Sequence, residues 1–167
     1  ASIAQIRARL RAMARTGNPA RLLVIDYLGF VAMPKAESRQ QAVAEVARQC
    51  KNVLAREFGI PVILLCQLNR LVEGRADKRP TLSDLRESGE IEQSADIVIL
   101  LHREDVYERE SPRAGEIDLI IQKNRQGPLT TVTLLFQGHY GRIVSMSRDG
   151  RDPDADWTPS SAVRRSA

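Results

Sequence analysis

Arg21-Leu-Leu-Val-Ile-Asp-Tyr27 is the stretch that decides the fold of this chain. The run is apolar without interruption up to its acid, whereas a strand with one face in water alternates apolar and polar residues. The pattern therefore predicts a strand covered on both faces, as in a parallel sheet. Asp26 would then lie at the carboxyl end of that strand, which is where open parallel sheets bind their ligands.

The segments around this run alternate between helix and strand. Ser2 can cap a helix that ends at Gly17, and residues 38–58 predict a second helix that ends at Gly59. A short helix is predicted over 83–93. Further strands are predicted over 61–66, 95–101, 116–122, 130–136 and 142–146. The first three strands of the chain are expected to be parallel, and the last three to form a β-hairpin region.

Composition favours one folded domain followed by a tail. The chain has 167 residues, of which 43% are hydrophobic, enough for a core. Apolar content collapses after residue 146, so we expect one folded domain over 1–146 and a disordered tail over 147–167. The net charge of +4 is compatible with nucleic acid but is a weak signal. No apolar run suits a membrane span and no signal peptide is evident, so we expect a cytoplasmic location and no membrane partner.

Polar side chains follow the predicted strands. Asp26 lies where a nucleotide-hydrolysing fold holds Mg²⁺, although apolar strands that end in Asp are common. The Gln67 amide could contact a terminal phosphate, or it could cap the loop in which it lies. Lys123 and Arg125 alternate along an extended backbone and share one side, which suits phosphate or a solvated hairpin tip. Residues 84–89 could bind the phosphate backbone of a nucleic acid, or they could form a capped helix on the surface.

Taken in order, five segments of the chain resemble the consecutive motifs of the DnaB-type replicative DNA helicases. They are Val24-Ile-Asp-Tyr-Leu28, Gln67-Leu-Asn-Arg70, Asp77-Lys-Arg-Pro80, Asp84-Leu-Arg-Glu-Ser-Gly-Glu-Ile-Glu-Gln93 and Lys123-Asn-Arg-Gln-Gly-Pro128. The resemblance covers roughly residues 3–146, and the fourth segment separates this family from recombinases that share only the fold. It implies an α/β fold with a RecA-like P-loop NTPase core. That core has a mostly parallel sheet, helices on both faces and a C-terminal β-hairpin region, here truncated at its N-terminal side.

The resemblance also implies roles for single residues, with ATP and Mg²⁺ as cofactors. Asp26 would hold Mg²⁺, and Gln67 would couple the γ-phosphate to the DNA-facing loops. Lys123 and Arg125 would act in the neighbouring subunit's site, as a trans-acting cation and an arginine finger. The residues that would touch single-stranded DNA are Arg86, Glu87 and Gly89. The implied partners are single-stranded DNA, a homo-hexamer of the subunit, and primase and a helicase loader through regions that this chain lacks.

One departure from the family pattern decides which readings remain open. The sequence contains no Gly-x-x-x-x-Gly-Lys-Ser/Thr, the loop whose backbone N–H groups cradle the phosphates. The leading hypothesis is therefore that the chain is part of an ATP-dependent replicative helicase motor and that the isolated chain does not hydrolyse ATP. The alternative is a non-catalytic, helicase-like DNA-binding or ring-assembly module. A stand-alone recombinase-like ATPase is the least favoured of the three hypotheses, because such an enzyme needs that loop.

Overall fold

The computed structural model describes residues 1–85 and 89–146, so Arg86, Glu87 and the expected tail over 147–167 lie outside the described residues. The helices are α1 (Ile3–Arg15), α2 (Arg39–Gln49), α3 (Arg56–Phe58) and α4 (Gly89–Ser94). The strands are β1 (Leu23–Ile25), β2 (Val62–Leu64), β3 (Ile97–His102), β4 (Glu116–Asn124), β5 (Thr130–Gln137) and β6 (Arg142–Ser145). The described chain divides into two compact units, the first formed by residues 1–100 with 120–130 and the second by residues 101–119 with 131–146.

The first helix begins where the sequence predicts it. The Ser2 hydroxyl accepts a hydrogen bond from the backbone N–H of Gln5 at 3.2 Å, and the Gln5 side chain accepts one from the Ser2 N–H at 2.8 Å. This reciprocal cap satisfies two N–H groups that have no partner inside the helix. Ile3 and Leu10 are buried on the inner face of α1. The helical spacing of the apolar residues and the capping hydrogen bonds thus indicate the same helix.

The helix predicted over 38–58 is present as one continuous helical segment. Ser38 caps α2, a π-helical stretch over Cys50–Ala55 joins α2 to α3, and Gly59 ends the segment with a φ of 63°. Glycine adopts this left-handed conformation without the steric cost that a Cβ brings. Leu54, with 0% of its surface exposed, lies at the centre of the core of the first unit.

Strands β1 and β2 form a parallel pair, with Val24 opposite Ile63. Ile25 faces the core of the first unit, whereas Val24 and Ile63 are 52% and 51% exposed. The expectation that the first strand is covered on both faces is therefore not met within the described residues. The reason is that a strand sends alternate side chains to opposite faces, and the described helices pack against only one of them.

Strand β3 does not extend the parallel pair, contrary to the expectation of three parallel strands. Its sheet has the order β3-β4-β5-β6, in which β5 and β6 are antiparallel. Strands that follow one another in sequence usually lie side by side, and here that preference decides the neighbour of β3. The predicted bounds of β4, β5 and β6 agree with the structure to within two residues.

The helix predicted over 83–93 is interrupted at Leu85. A single helical turn covers Leu82–Asp84, Leu85 is extended, and among the described residues that follow, α4 comprises Gly89–Ser94. Leu85 leaves the helical conformation because it forms a β-bridge with Leu68 and packs in a second buried cluster of the first unit. Tertiary pairing thus overrides the helical spacing of this segment.

The second unit contains a buried ion pair. Asp118 is 2% exposed and accepts hydrogen bonds from the Arg113 guanidinium at 2.7 and 3.1 Å and from the Thr133 hydroxyl at 2.7 Å. The hydrogen bonds to Asp118 and Glu116 raise the pKa of Arg113. Because a buried carboxylate is costly without partners, these contacts fix the loop before β4. Among the described residues, no helix combines the length and apolarity that crossing a membrane requires.

Candidate functional site

The first group of candidate residues lies just past the ends of β1 and β2. The Leu65 N–H donates to the carbonyl of Ile25 at 3.0 Å, and the Leu28 N–H donates to the carbonyl of Leu65 at 2.9 Å. These bonds hold together the segments that follow β1 and β2, beyond the last paired residues of the two strands. Asp26 and Gln67 therefore lie at the same carboxyl edge of the pair. Both side chains are exposed, and neither has a hydrogen-bond or ion-pair partner among residues 1–85 and 89–146. They are free to meet a ligand.

The chemistry of Asp26 suits Mg²⁺ held partly through water. No group of three or more His, Cys, Asp or Glu side chains that could hold a metal ion occurs in the described part of the chain. Mg²⁺ does not need such a cage, because it keeps several waters and is bound in nucleotide sites by one or two carboxylates and the phosphates. A single exposed carboxylate at a strand exit therefore fits Mg²⁺ that is also held by waters and nucleotide phosphates.

The second group of candidate residues lies against the C-terminal end of α4. The Lys123 ammonium donates to the carbonyls of Glu92 and Gln93, and the Arg125 guanidinium donates to the carbonyl of Gln93 at 2.8 Å. The last carbonyls of a helix have no partner inside it and carry partial negative charge. Lys123 and Arg125 thus act as a side-chain cap of α4, a contact that alternation along the strand did not predict.

Asp96 ties Arg125 to a third cation. Its carboxylate lies 2.6 Å from the Lys51 ammonium and 3.6 Å from the Arg125 Nε, and its carbonyl accepts from the Arg125 N–H at 3.0 Å. The hydrogen bond from Lys51 is the main reason that the pKa of Asp96 is lowered. The side chains of Asp96 and Arg125 are 61% and 50% exposed, so solvent weakens their attraction. Arg125 is oriented by these contacts, and half of its side chain remains exposed to solvent.

A short bridge joins the chain after Gln67 to the chain before Arg86. Leu68 pairs with Leu85 in an antiparallel bridge, and the Asn69 N–H donates to the carbonyl of Asp84 at 2.7 Å. Gln67 therefore precedes the bridge by one residue and Arg86 follows it by one. The sequence alone did not reveal that these two candidate residues flank the same pairing.

Asp84 is buried at this bridge, a position that sequence reasoning missed. Its carboxylate accepts from the Thr81 N–H at 2.8 Å, the Thr81 hydroxyl at 3.0 Å and the Arg75 guanidinium at 2.7 Å. Burial by itself raises the pKa of Asp84, but these hydrogen bonds and the charge of Arg75 outweigh it and lower the pKa. The signal in the sequence is the Thr-x-x-Asp spacing of a capping box, which predicts a hydrogen bond from Thr81 to Asp84 independently of any DNA contact.

Of the residues expected to touch DNA, only Gly89 is described. It is exposed and lies in α4, and a Cβ built on it would meet no atom of the described residues within 4 Å. Packing among the described residues therefore does not require a glycine at this position. Arg86 and Glu87 lie outside the described residues.

Comparisons with known proteins identify the family of the chain. The family model of the DnaB-like helicase C-terminal domain matches residues 1–145. The replicative DNA helicase DnaB of Leifsonia xyli subsp. xyli is 53% identical over 148 residues, which cover 87% of this chain and 32% of that protein. The replicative DNA helicase DnaB of Mycobacterium leprae is 50% identical over 145 residues, 86% of this chain and 24% of that protein.

Solved structures give the same result. The structure of a DnaB-like replicative helicase and its interactions with primase superposes with a TM-score of 0.81 at 42% identity, covering 87% of this chain and 35% of that one. A solved ATPase domain superposes with a TM-score of 0.81 at 42% identity, covering 87% of this chain and 52% of that one. These matches confirm the predicted RecA-like α/β fold class. The chain spans about a third or less of the two helicases named above. It belongs to the DnaB-like helicase C-terminal domain family.

Proposed function

We propose that this chain is part of an ATP-dependent replicative DNA helicase motor that translocates on single-stranded DNA and unwinds duplex DNA. The observation that carries the proposal is the pair of free, exposed side chains, Asp26 and Gln67, at the shared carboxyl edge of two parallel strands. In α/β folds this edge is where nucleotides bind. Family membership supports the same assignment.

In this proposal Asp26 holds Mg²⁺ and Gln67 lies beside the terminal phosphate of ATP. When bound there, Mg²⁺ would neutralise charge that develops on the phosphate oxygens as the terminal phosphoryl group is transferred to water. Asp26 would hold the ion, in part by accepting hydrogen bonds from its waters. The Gln67 amide donates to a phosphate oxygen or orients the attacking water, and its place beside the Leu68–Leu85 bridge connects phosphate contact with DNA contact.

Lys123 and Arg125 serve the neighbouring subunit in a homo-hexameric ring. Head-to-tail contacts close into a ring, and each subunit then lends one surface to its neighbour's site. The two cations share one side of β4 and its exit, and Arg125 is half exposed. Cations placed beside the transferred phosphoryl group stabilise the charge of its transition state. Because the same two side chains cap α4, catalysis in one site is connected with the DNA-facing helix of the subunit that supplies them.

The DNA contacts of the motor are assigned to Arg86, Glu87 and Gly89. Arg86 provides the charge that attracts a phosphate, and the backbone of Gly89 can approach a DNA strand closely because no side chain intervenes. Contacts with the phosphate backbone carry no sequence preference and weaken with salt. A motor that moves along any sequence needs contacts of this kind.

The remaining partners are proposed on the family likeness alone. One solved relative is described with its interactions with primase, and we propose primase and a helicase loader as partners of the complete helicase. We propose a cytoplasmic location, where chromosome replication takes place in bacteria. The isolated chain does not hydrolyse ATP in this account, because the phosphate-binding loop is absent from its sequence.

A chimeric helicase tests the proposal. The matching 148 residues of the Leifsonia helicase are replaced by this chain, which restores the phosphate-binding loop from the relative. The chimera is expected to hydrolyse ATP faster when single-stranded DNA is added. Asp26→Ala and Arg125→Ala should each lower turnover by about 100-fold or more, as loss of an electrostatic contact to the transferring group does. Arg48→Ala removes a surface cation of α2 and is the matched control.

The alternative of a non-catalytic DNA-binding or ring-assembly module predicts a different result. A chimera that binds single-stranded DNA and forms rings but shows no turnover would favour that module and would overturn the proposed motor. Turnover that is insensitive to both Asp26→Ala and Arg125→Ala would show that the candidate residues are assigned wrongly.

A further inference from the structure

A carboxylate at the start of β3 contacts one of the cations that the proposed function lends to a neighbouring subunit. Asp96 directly precedes β3, Arg125 directly follows β4, and the two strands are neighbours in the sheet. We propose that Asp96 is a positioning residue that aims the Arg125 guanidinium at the phosphoryl group in the neighbour's site, and that Lys51 holds the Asp96 carboxylate in place. The inference rests on the proposed function, because it concerns how the trans-acting arginine of that function is oriented.

The main chain fixes only the start of the Arg125 side chain. The Arg125 N–H donates to the carbonyl of Asp96 at 3.0 Å, so the backbone that follows β4 is held. An arginine side chain nevertheless has several rotatable bonds, and it loses much rotamer entropy when its head group is fixed. The direction of the guanidinium therefore depends on contacts that the head group makes itself.

Two contacts orient that head group. The Arg125 Nη2 donates to the carbonyl of Gln93 at 2.8 Å, and the Nε lies 3.6 Å from the Oδ1 of Asp96. The second contact is an ion pair, because the distance is too long for a hydrogen bond. The Nη1 has no hydrogen-bond partner among residues 1–85 and 89–146. Since a guanidinium carries several N–H donors in a planar fork, the two contacts occupy one edge and leave Nη1 for the oxygens of a phosphoryl group.

Lys51 keeps the Asp96 carboxylate in this place. The Asp96 side chain is 61% exposed, and the Lys51 ammonium donates to its Oδ1 at 2.6 Å, the same oxygen that faces Arg125. Lys51 lies in the π-helical stretch that joins α2 to α3, and Leu54 of that stretch is fully buried, so the backbone of Lys51 is anchored to the core. The hydrogen bond from Lys51 also lowers the pKa of Asp96, so the carboxylate stays charged beside Arg125.

The weakness of the pair between Asp96 and Arg125 suits positioning. Exposed ion pairs bind weakly, because water screens the charges and long side chains lose freedom. Arg125 is therefore oriented without being trapped, and a phosphoryl group, which carries more negative charge than a carboxylate, can draw it away from Asp96. Catalysis depends steeply on geometry, since a displacement of about 1 Å can cost about 100-fold in rate. A carboxylate that narrows the orientations of the cation therefore raises turnover without touching ATP.

The test measures ATP turnover by the full-length chimeric helicase in the presence of single-stranded DNA. Asp96→Asn keeps the shape and the backbone carbonyl of the residue and removes its charge. It is expected to lower kcat about 10-fold, less than the loss of Arg125 itself, and to leave KM for ATP within about twofold of the parent. Lys51→Gln should lower kcat as well. Lys51→Arg keeps a charged donor for Asp96 and should recover most of the turnover that Lys51→Gln loses.

A double-mutant cycle separates positioning from a purely structural part. In the Arg125→Ala background no guanidinium is left to aim, so adding Asp96→Asn should change kcat by less than about twofold. A residue that only stabilised the fold would lower turnover by the same factor in both backgrounds. Glu45→Gln is the matched control, since it removes a carboxylate that pairs with Arg48 on α2, and its kcat should equal that of the parent.

The outcomes separate this inference from the proposed function. If the unmodified chimera does not hydrolyse ATP, or if Arg125→Ala turns over as fast as the parent, the proposed assignment fails and this inference fails with it. If Arg125→Ala is impaired while Asp96→Asn and Lys51→Gln keep the kcat of the parent, the positioning is refuted and the motor stands. An equal loss when Asp96→Asn is added to either background would also overturn the inference.

Discussion

Removing the side-chain cap of α4 should loosen that helix in the 167-residue chain by a predictable amount. Lys123→Met deletes the ammonium that donates to the carbonyls of Glu92 and Gln93. Charged hydrogen bonds contribute about 1.5–3 kcal/mol when buried. A cation at a helix C-terminus that is partly in solvent contributes nearer to 1 kcal/mol, because water screens it. We therefore expect α4 to lose about 1 kcal/mol of local stability.

Amide hydrogen exchange measures this loss directly. The Ala95 N–H donates to the carbonyl of Ile91 at 2.9 Å and reports the opening of the last turn of α4. A loss of about 1 kcal/mol raises the population of the open form, and hence the exchange rate, about fivefold. Lys35→Met is the matched control, since Lys35 is exposed and has no partner among the described residues. Equal exchange of Ala95 in both variants and the parent chain would refute the cap.

Three further predictions follow from burial, charge and open space. Leu54→Ala should lower the free energy of unfolding of the first unit by about 2–5 kcal/mol, because Leu54 is fully buried, and urea denaturation checks this against the exposed Leu22→Ala. The pKa of Asp84 is lowered in the folded chain, so its charge stabilises the fold. This stabilisation is complete above the unfolded pKa of about 3.9 and is lost as the pH falls through the folded pKa. The difference in melting temperature between the parent chain and Asp84→Asn should therefore shrink in acid. Gly89→Ala should not lower the melting temperature, since a Cβ meets no atom of the described residues within 4 Å and alanine favours the helix, yet it should weaken single-stranded DNA binding by the chimera in an anisotropy titration.

Local signals allowed the helices to be predicted from the sequence. Ser2, Ser38 and Gly59 each satisfy or terminate backbone hydrogen bonds within a few residues, so their effect does not depend on the rest of the fold. The same holds for the hairpin strands β5 and β6, which pair with each other across a short turn. The position of Asp26 and Gln67 at one edge could also be predicted, because the carboxyl ends of parallel strands meet there.

Long-range pairing explains what the sequence did not reveal. Leu85 carries helical spacing, but its partner Leu68 lies 17 residues away, and only the folded chain shows that they pair. Lys123 was expected to face phosphate, and its contact with the carbonyls of α4 spans 31 residues. Asp84 was read as part of a motif, while its burial depends on Arg75 in a loop without regular spacing. In each case the decisive contact joins residues that are far apart in the sequence, and helical or strand periodicity does not predict such pairs.

Mixed rings of the chimeric helicase test the central claim most directly, namely that Asp26 and Arg125 of different subunits form one catalytic site. The Asp26→Ala and Arg125→Ala variants are prepared separately and also co-expressed. In a random head-to-tail ring about a quarter of the interfaces then combine an intact Asp26 with a neighbour's intact Arg125. The account predicts that co-expressed rings regain DNA-stimulated turnover well above the mean of the two inactive variants. Turnover of mixed rings equal to that mean would contradict a site shared between subunits.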